Sequence, residues 1–301
     1  MRGLWRLKML GRAWQAHRDL SRAKRTVSRF PVIATKRPHG LSGEVVVSLT
    51  SYPARFQTLH LTLRSLLDQT VAVDRTVLWI AEKDAPLLPE KVRSLAAHGL
   101  EIKTCADIGS YKKLVPALLH WPEATIITAD DDLYYHHDWA AELVDTARRE
   151  PGKIIAHRVH LSLLGQDLAL LPYLSWVHCT KRRDDDPPNG LLFPTTGAGV
   201  LYPPASLDAH ATDVATFMEL CPTADDIWFF WMARLVDSEM RGMGRVPALV
   251  TWNGSQDEAL HRINVDGRAN DRQIALMTSQ FGKPWTADRR ADNGIVSRAQ
   301  R

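Results

Sequence analysis

The sequence is poor in cysteine: 301 residues contain three, Cys105, Cys179 and Cys221, with no CxxC spacing. An odd number of widely separated cysteines suggests neither a disulfide framework nor a zinc site, and fits a reducing cytoplasm. No apolar run approaches the eighteen or so residues of a membrane span. The N-terminus lacks the uninterrupted apolar core of a secretory signal. Two phosphate-binding fingerprints are also missing. No GxGxxG follows the first strand pattern, which disfavours a classical dinucleotide fold, and no GxxxxGK[ST] occurs, which removes a P-loop NTPase. What is present, 45% hydrophobic and 24% charged residues, is the composition of a globular chain able to bury a substantial core.

Positive charge is unevenly spread. Residues 1–37 hold eleven Lys or Arg against the single acid Asp19, a charge of +10, so a chain of +4 leaves −6 for residues 38–301. The body is mildly acidic and the basicity lies in an N-terminal arm. On a helical wheel Leu4, Leu7, Leu10 and Trp14 share one side, with Trp5, Met9, Ala13 and Leu20 beside them. Arg2, Arg6, Lys8, Arg12, Arg18 and Arg22 cover much of the rest. This basic amphipathic pattern suits an anionic membrane surface through residues 1–25, at about 1 kcal/mol per basic residue near the headgroups. The plainer reading is a basic tail that is disordered or packs on the body. A nucleic-acid partner is not expected, because nothing downstream resembles a nucleic-acid module. Residues 30–43, with two prolines and two glycines, read as a linker. The expected organisation is an arm and linker over 1–43, one globular body over 44–282, and a polar tail over 283–301.

The body alternates strands and helices. Val45–Leu49, Thr76–Ile80, Leu100–Lys103, Thr125–Thr128 and Ile154–Ala156 read as strands, being short, apolar and rich in β-branched residues. Leu59–Gln69, Pro89–Gly99, Lys112–His120 and Trp139–Arg149 follow a helical period between them. Such alternation predicts an α/β fold, a Rossmann-like mixed sheet with helices on both faces.

The central stretch is Ala124–Tyr135, ATIITADDDLYY. A buried strand runs straight into Asp130, Asp131 and Asp132. Three adjacent carboxylates repel one another and need a partner if they are buried. A hard divalent cation with oxygen ligands would supply one, and the carboxyl end of a strand in an open α/β sheet is where ligands bind. The bland alternative is an acidic, solvated turn. Ahead of these acids lies the polar turn Thr50-Ser51-Tyr52-Pro53-Ala54-Arg55, in which Tyr52 could stack on a base and Arg55 could meet a phosphate. Lys112 and Lys113 stand at a predicted helix start, the wrong end for the helix dipole, and a bound diphosphate would explain them. Each of these segments also reads as an ordinary solvated loop.

In the second half, Asp184-Asp185-Asp186 lies between Lys181-Arg182-Arg183 and two prolines, and reads as a mobile surface loop rather than a site, with a lid over the site as the alternative. Thr195–Pro203 approaches a strand through Gly197 and Gly199, where small residues permit close backbone approach. Thr223-Ala224-Asp225-Asp226-Ile227-Trp228 opens a hydrophobic helix with two acids in its first turn. Capping explains one of them, and the second suggests a positioned base. Asn253, His261, Asn264, Asn270 and Asp271 are weaker candidates for closing over a ligand.

Taken together, SLTSYPAR, DIGSYKKL, ITADDD, TGAGVLYPP and TADDIW, in that order over about residues 44–282, resemble the nucleotide-sugar-dependent glycosyltransferases of the A-type fold. Bacterial enzymes that build capsule or lipopolysaccharide chains are the nearest likeness. The resemblance implies that Asp130 and Asp132 act as DxD-type acids on the nucleotide ribose and on Mn2+ or Mg2+, with Asp131 in support. The ion would bridge the diphosphate as a Lewis acid. Thr50, Tyr52 and Arg55 belong to the donor side, and Lys112 or Lys113 would add charge to the leaving group. Asp225 or Asp226 would be the general base of an inverting transfer, and His261 would be a late metal ligand. The implied partners are a nucleotide-sugar donor and a saccharide or lipid-linked saccharide acceptor. The implied location is the cytoplasm, peripheral to the inner face of the cell membrane. Two other readings stay open: a metal-dependent phosphohydrolase using the same acids, and a non-catalytic nucleotide-sugar-binding module.

Overall fold

The computed structural model describes residues 2–245, 248–254 and 269–286. Seven strands form the central sheet: β1 (Val45–Thr50), β2 (Arg75–Ala81), β3 (Leu100–Cys105), β4 (Thr125–Ala129), β5 (Ile154–Ala156), β6 (Val200–Tyr202) and β7 (Met240–Gly242). Their spatial order is β3-β2-β1-β4-β6-β5-β7. All run in one direction except β6, which is antiparallel to both β4 and β5. The main helices are α1 (Arg2–Ser28), α2 (Phe56–Leu67), α3 (Val115–His120), α4 (Trp139–Arg149), α5 (Asp225–Leu235) and α6 (Ala269–Phe281).

Alternation along the strands divides the core between two faces. Val45, Val47, Leu49, Leu78, Ile80, Ile127 and Ile155 pack with residues of α2 and α4. Val46, Val77, Trp79, Ile126, Ile154 and Tyr202 pack with α3, α5 and α6. Burial on both faces is why these strands read as unbroken apolar runs. The expected α/β mixed sheet with helices on both faces is the fold observed. It also fixes where a ligand can sit. From β1 the chain builds outward through β2 and β3, then returns to place β4 on the other side of β1. That reversal is a topological switch point, and the crevice beyond the carboxyl ends of the two strands is the binding position of open α/β sheets.

Several local expectations shift. Helix α2 begins at Phe56, ahead of the expected Leu59, after a tight turn at Pro53–Arg55. Lys112 and Lys113 precede α3 rather than opening it. They lie in the separate short turn Gly109–Lys113, which is broken from α3 by Leu114 at φ −127°. The second half of the arm helix packs on the body, where Ala23 and Val27 are buried against Trp252. The segment read as a linker is tied down: Val32 and Ile33 N–H groups donate to the Asp68 carboxylate at 3.0 and 2.8 Å, and Arg37–Pro38 pairs with Val71–Ala72. The second acidic triplet is tethered too, so it is not the loose loop expected. Asp185 is gripped by Arg234 at 2.7 and 2.8 Å, and Asp184 and Asp186 pair with Arg241 and Arg182. Of the expected polar tail, Trp285 packs beside Phe230 and Trp231. No helix among the described residues is long and apolar enough to cross a membrane.

Candidate active site

A cavity of about 770 Å3 opens at the switch point. Its walls include Thr50, Tyr52 and Arg55 after β1, Asp130, Asp131 and Asp132 after β4, Lys112 and Lys113, and Asp225 and Asp226 at the start of α5. These candidates, together with Asn270, therefore line one space, whereas Asn253 and Asp271 are not among its lining residues. His261 and Asn264 lie outside the described residues.

The acid run is not a uniform patch. Asp131 and Asp132 keep only 11% and 12% of their side-chain surface exposed, whereas Asp130 keeps 35%. Arg55 accounts for the first two: its guanidinium donates to Asp132 and lies 3.6 Å from Asp131. Ser51 donates to Asp131 at 2.5 Å, and Thr62 donates to the Asp131 carbonyl at 2.8 Å. Arg55, expected to meet a phosphate, is thus turned to the acids, because two buried carboxylates cost more unpaired than a desolvated guanidinium costs to place. Even so, burial, with the adjacent charge of Asp132, pushes the Asp131 carboxyl up to about 7 against the pull of Arg55.

Asp130 faces the other way. Lys113 Nζ donates to its Oδ1 at 2.7 Å, donates to Thr196 Oγ1 at 3.0 Å, and stands 3.4 Å from Asp225 Oδ2. Burial would lower the ammonium, but Asp130, Asp225 and Asp226 outweigh it and hold it well above its ordinary value. Burial would likewise raise Asp130, and Lys113 overcomes that and keeps it below the usual carboxylate range. Lys112 pairs with Asp107, which also meets Lys83 at 2.7 Å. The two lysines therefore have protein carboxylates to explain them, and a diphosphate is not required.

Because β6 is antiparallel, its amino end meets the carboxyl end of β4, with Val200 paired to Thr128. That brings the turn at Thr195–Gly197 over Asp130. A Cβ on Gly197 would overlap Asp130 Oδ2, and one on Gly199 would overlap the Trp139 indole. The close approach that these glycines allow is thus to the protein's own side chains. Tyr135 Oη accepts from Asp130 N at 2.8 Å and donates to Gly197 O at 2.7 Å, joining the two turns.

The acids of α5 divide their work. Asp225 is buried and accepts from Ser110 at 2.8 Å as well as facing Lys113. Asp226 Oδ1 accepts from Thr196 N at 2.9 Å and Thr196 Oγ1 at 2.8 Å. Asp226 Oδ2 makes no hydrogen bond among the described residues. Burial and then the charge of Asp225 push the Asp226 carboxyl up to about 6, with Lys113 and Thr196 opposing.

Divalent metal was expected on Asp130, Asp132 and His261. Among the described residues, no three His, Cys, Asp or Glu side chains gather to hold an ion. Asp130 pairs with Lys113 and Asp132 with Arg55, and the third expected ligand, His261, lies outside the described residues. The partners the acids need are supplied by a lysine and an arginine.

Sequence reasoning missed Arg158, His160 and Tyr173, which also line the cavity. Arg158 lies two residues beyond β5, and position at a strand's carboxyl end was the one signal available. The Thr195–Gly199 turn was noticed for its glycines, while the atom that links Lys113 to Asp226 is the Thr196 hydroxyl.

No family model matches the sequence, and no curated protein matches it. Solved structures align with this chain at low identity. Residues 1–349 of S. aureus TarS align at 15% identity with a TM-score of 0.46, over 69% of this chain and 59% of that one. Glucosyl-3-phosphoglycerate synthase from Mycobacterium tuberculosis, in complex with Mn2+, UDP and glucosyl-3-phosphoglycerate, aligns at 14% with a TM-score of 0.30, over 38% of this chain and 43% of that one. CMP:2-keto-3-deoxy-manno-octonic acid synthetase, complexed with CTP, aligns at 12% with a TM-score of 0.39, over 82% of this chain and all of the other. The aligned part of this chain thus spans less than two thirds of the TarS fragment.

Proposed function

We propose that this protein is an inverting glycosyltransferase that moves a sugar from a nucleoside-diphosphate sugar to a saccharide acceptor. One observation carries the reading: two sets of acids, Asp130 after β4 and Asp225-Asp226 on α5, meet across Lys113 in one cavity at the switch point of the sheet. A module that only held nucleotide sugar would not need the second set.

The donor's nucleoside lies against Thr50 and Tyr52 after β1, with the Tyr52 ring as a stacking face. Asp130, the exposed acid of the three, accepts from ribose or sugar hydroxyls. Asp131, Asp132 and Arg55 hold the loop that carries it. The diphosphate lies beside Lys112, whose ammonium gives one of its three N–H groups to Asp107 and offers the others to charge developing on the leaving group. Asp226 is the general base rather than Asp225: one of its oxygens is held by Thr196 while the other has no donor among the described residues, and its raised carboxyl, at about 6, is close to the optimum for a base at neutral pH. It takes the proton of the acceptor hydroxyl as that oxygen bonds to the anomeric carbon. The bond to the diphosphate oxygen breaks on the opposite face, and its electron pair leaves with the nucleoside diphosphate.

Asp130 and Asp132 are the residues that would hold Mn2+ or Mg2+, which would supply a Lewis acid for the diphosphate; without the ion they pair with Lys113 and Arg55. The exposed Trp14 of α1, with the Arg18 guanidinium 4.5 Å from its ring centroid, supports attachment of the arm to an anionic membrane, where a lipid-linked acceptor would be found.

The test is a panel of nucleoside-diphosphate sugars with saccharide acceptors, followed by nucleoside-diphosphate release and the anomeric configuration of the product by NMR. Acceptor-dependent release with inverted configuration is expected. Phosphate release without acceptor would favour a phosphohydrolase, and binding without turnover would favour a binding module.

A further inference from the structure

Arg158 and Asn270 are two polar residues of the cavity that the transfer chemistry above leaves unused. Arg158 follows β5, which in the sheet order stands three strands from β1. At about 4.8 Å per strand that is roughly 14 Å from the nucleoside end of the cavity, on the far side of Asp130. Arg158 is fixed there by buried Thr195. Its Nε donates to Thr195 Oγ1 at 2.5 Å, and Thr195 N donates back to the Arg158 carbonyl at 3.1 Å. With Nε used, the plane of the guanidinium is set, and its two terminal nitrogens remain as a fork. Among the described residues Arg158 makes no ion pair, unlike Arg55, which the site's own acids consume.

Asn270, at the start of α6, is 6% exposed and lines the same cavity. Its Oδ1 is buried and accepts no hydrogen bond among the described residues. A buried amide oxygen left unpaired is costly, and a bound donor would remove that cost. Two links place this end of α6 with Tyr173 and the start of α5. Asp271 accepts from Tyr173 N at 2.7 Å, and Gln273 exchanges hydrogen bonds with Thr223 at 3.0 and 3.2 Å. His160 lines the wall between them. Its Nδ1 accepts from Cys179 N at 3.0 Å, so the neutral ring carries its proton on Nε2 and is a donor. Tyr173, edge-on to His160 at 6.2 Å, supplies an aromatic surface. A fixed fork, a neutral donor, an orphaned acceptor and a ring face together describe a pocket for a charged sugar.

We propose that the acceptor is an anionic saccharide whose oxyanion, a carboxylate or a phosphate ester, is bound by Arg158 while a sugar hydroxyl donates to Asn270 Oδ1. This rests on the transferase reading for the word acceptor, and the pocket can be tested without turnover. The probes are D-glucuronate and D-glucose 6-phosphate, compared with neutral D-glucose, each titrated into the full chain by NMR with and without saturating nucleoside diphosphate (UDP, GDP and CDP in turn).

At least one anionic sugar should bind about tenfold more tightly than glucose, the scale of a charged hydrogen-bond pair. Comparison of the two anions separates carboxylate from phosphate. Arg158→Ala should abolish that preference while changing nucleoside-diphosphate affinity less than twofold, and Arg158→Lys should restore part of it. If Arg158→Ala lowers the melting temperature, Arg158→Gln, which keeps the packed stem, replaces it. Equal affinity for charged and neutral sugars in a protein that binds nucleoside diphosphate overturns this proposal and leaves the transferase reading standing. So does a loss of nucleoside-diphosphate affinity in Arg158→Ala with the sugar preference intact, which would assign Arg158 to the donor. Charge-selective sugar binding with no affinity for any nucleoside diphosphate keeps the pocket and sinks the transferase reading.

Discussion

Lys113 stands 2.7 Å from Asp130 and joins the acids that end β4 to those that begin α5. Its hydrogen bond to Thr196 Oγ1, and that hydroxyl's own bond to Asp226, make one connected chain from donor side to base. A buried ammonium with three carboxylates around it is tolerated only as a set, since removing one charge strands the others.

Lys113→Met keeps the length and removes the charge. It should destabilise the fold by about 3–5 kcal/mol and lower transfer at least a hundredfold. With the positive charge gone, Asp226 should titrate higher still. Thermal denaturation reads the first effect and a pH–rate profile the last; an unshifted profile would disconnect Lys113 from the base.

Asp226→Asn should lower kcat by about 10²–10⁴ and leave nucleoside-diphosphate affinity intact. Asp225→Asn should instead weaken folding, because the amide keeps an oxygen for Ser110 but removes the negative charge that faces buried Lys113. In the wild type, kcat should fall as pH drops through about 6, where Asp226 takes up its proton. If Asp225→Asn alone abolishes kcat in a stable protein, the assignment of the base is reversed.

Asp131 gives a stability test with a definite sign. Its folded value, about 7, lies above the ordinary 3.8. The folded state therefore holds a proton that the unfolded chain releases, and this group's contribution falls as pH rises from about 4 to about 7. Asp131→Asn should gain on the wild type across that window and show a constant difference above it. Urea titrations at pH 4.5, 6 and 8 measure it, and a difference independent of pH would show that Asp131 is ionised throughout.

Arg55→Ala leaves Asp131 and Asp132 with no guanidinium between them. A loss of about 3–5 kcal/mol is expected, and Mn2+ or Mg2+ should recover part of it by taking the vacated position. For the wild type without nucleotide, the same ions should leave the melting temperature unchanged. A clear metal-induced rise in the wild type alone would show a site that the described side chains do not form.

The helices and strands were mostly legible because each is a local matter. Trp139–Arg149 and Ile154–Ala156 carry their own periodicity and end at their own Pro-Gly and strand signals, and they fold as read. The candidate acids were legible too, because three adjacent carboxylates after a buried strand announce a position that needs compensation. Their partner was not. Arg55 stands 77 residues from Asp132, and Lys113 stands 17 from Asp130; nothing local distinguishes a cation that neutralises an acid from one that awaits a phosphate. Arg158 and Tyr173 carry no motif at all.

From its own residues the chain determines a two-faced α/β sheet, its order of strands and helices, and a concentration of acid at two strand and helix ends, all properties of composition and period. The fold in space decided that β4 lies beside β1, that antiparallel β6 folds Thr196 over Asp130, and that Arg55 and Lys113 rather than a free ligand neutralise the acids. Those are pairings between distant segments, and only the packing of the sheet sets the distances at which charges meet.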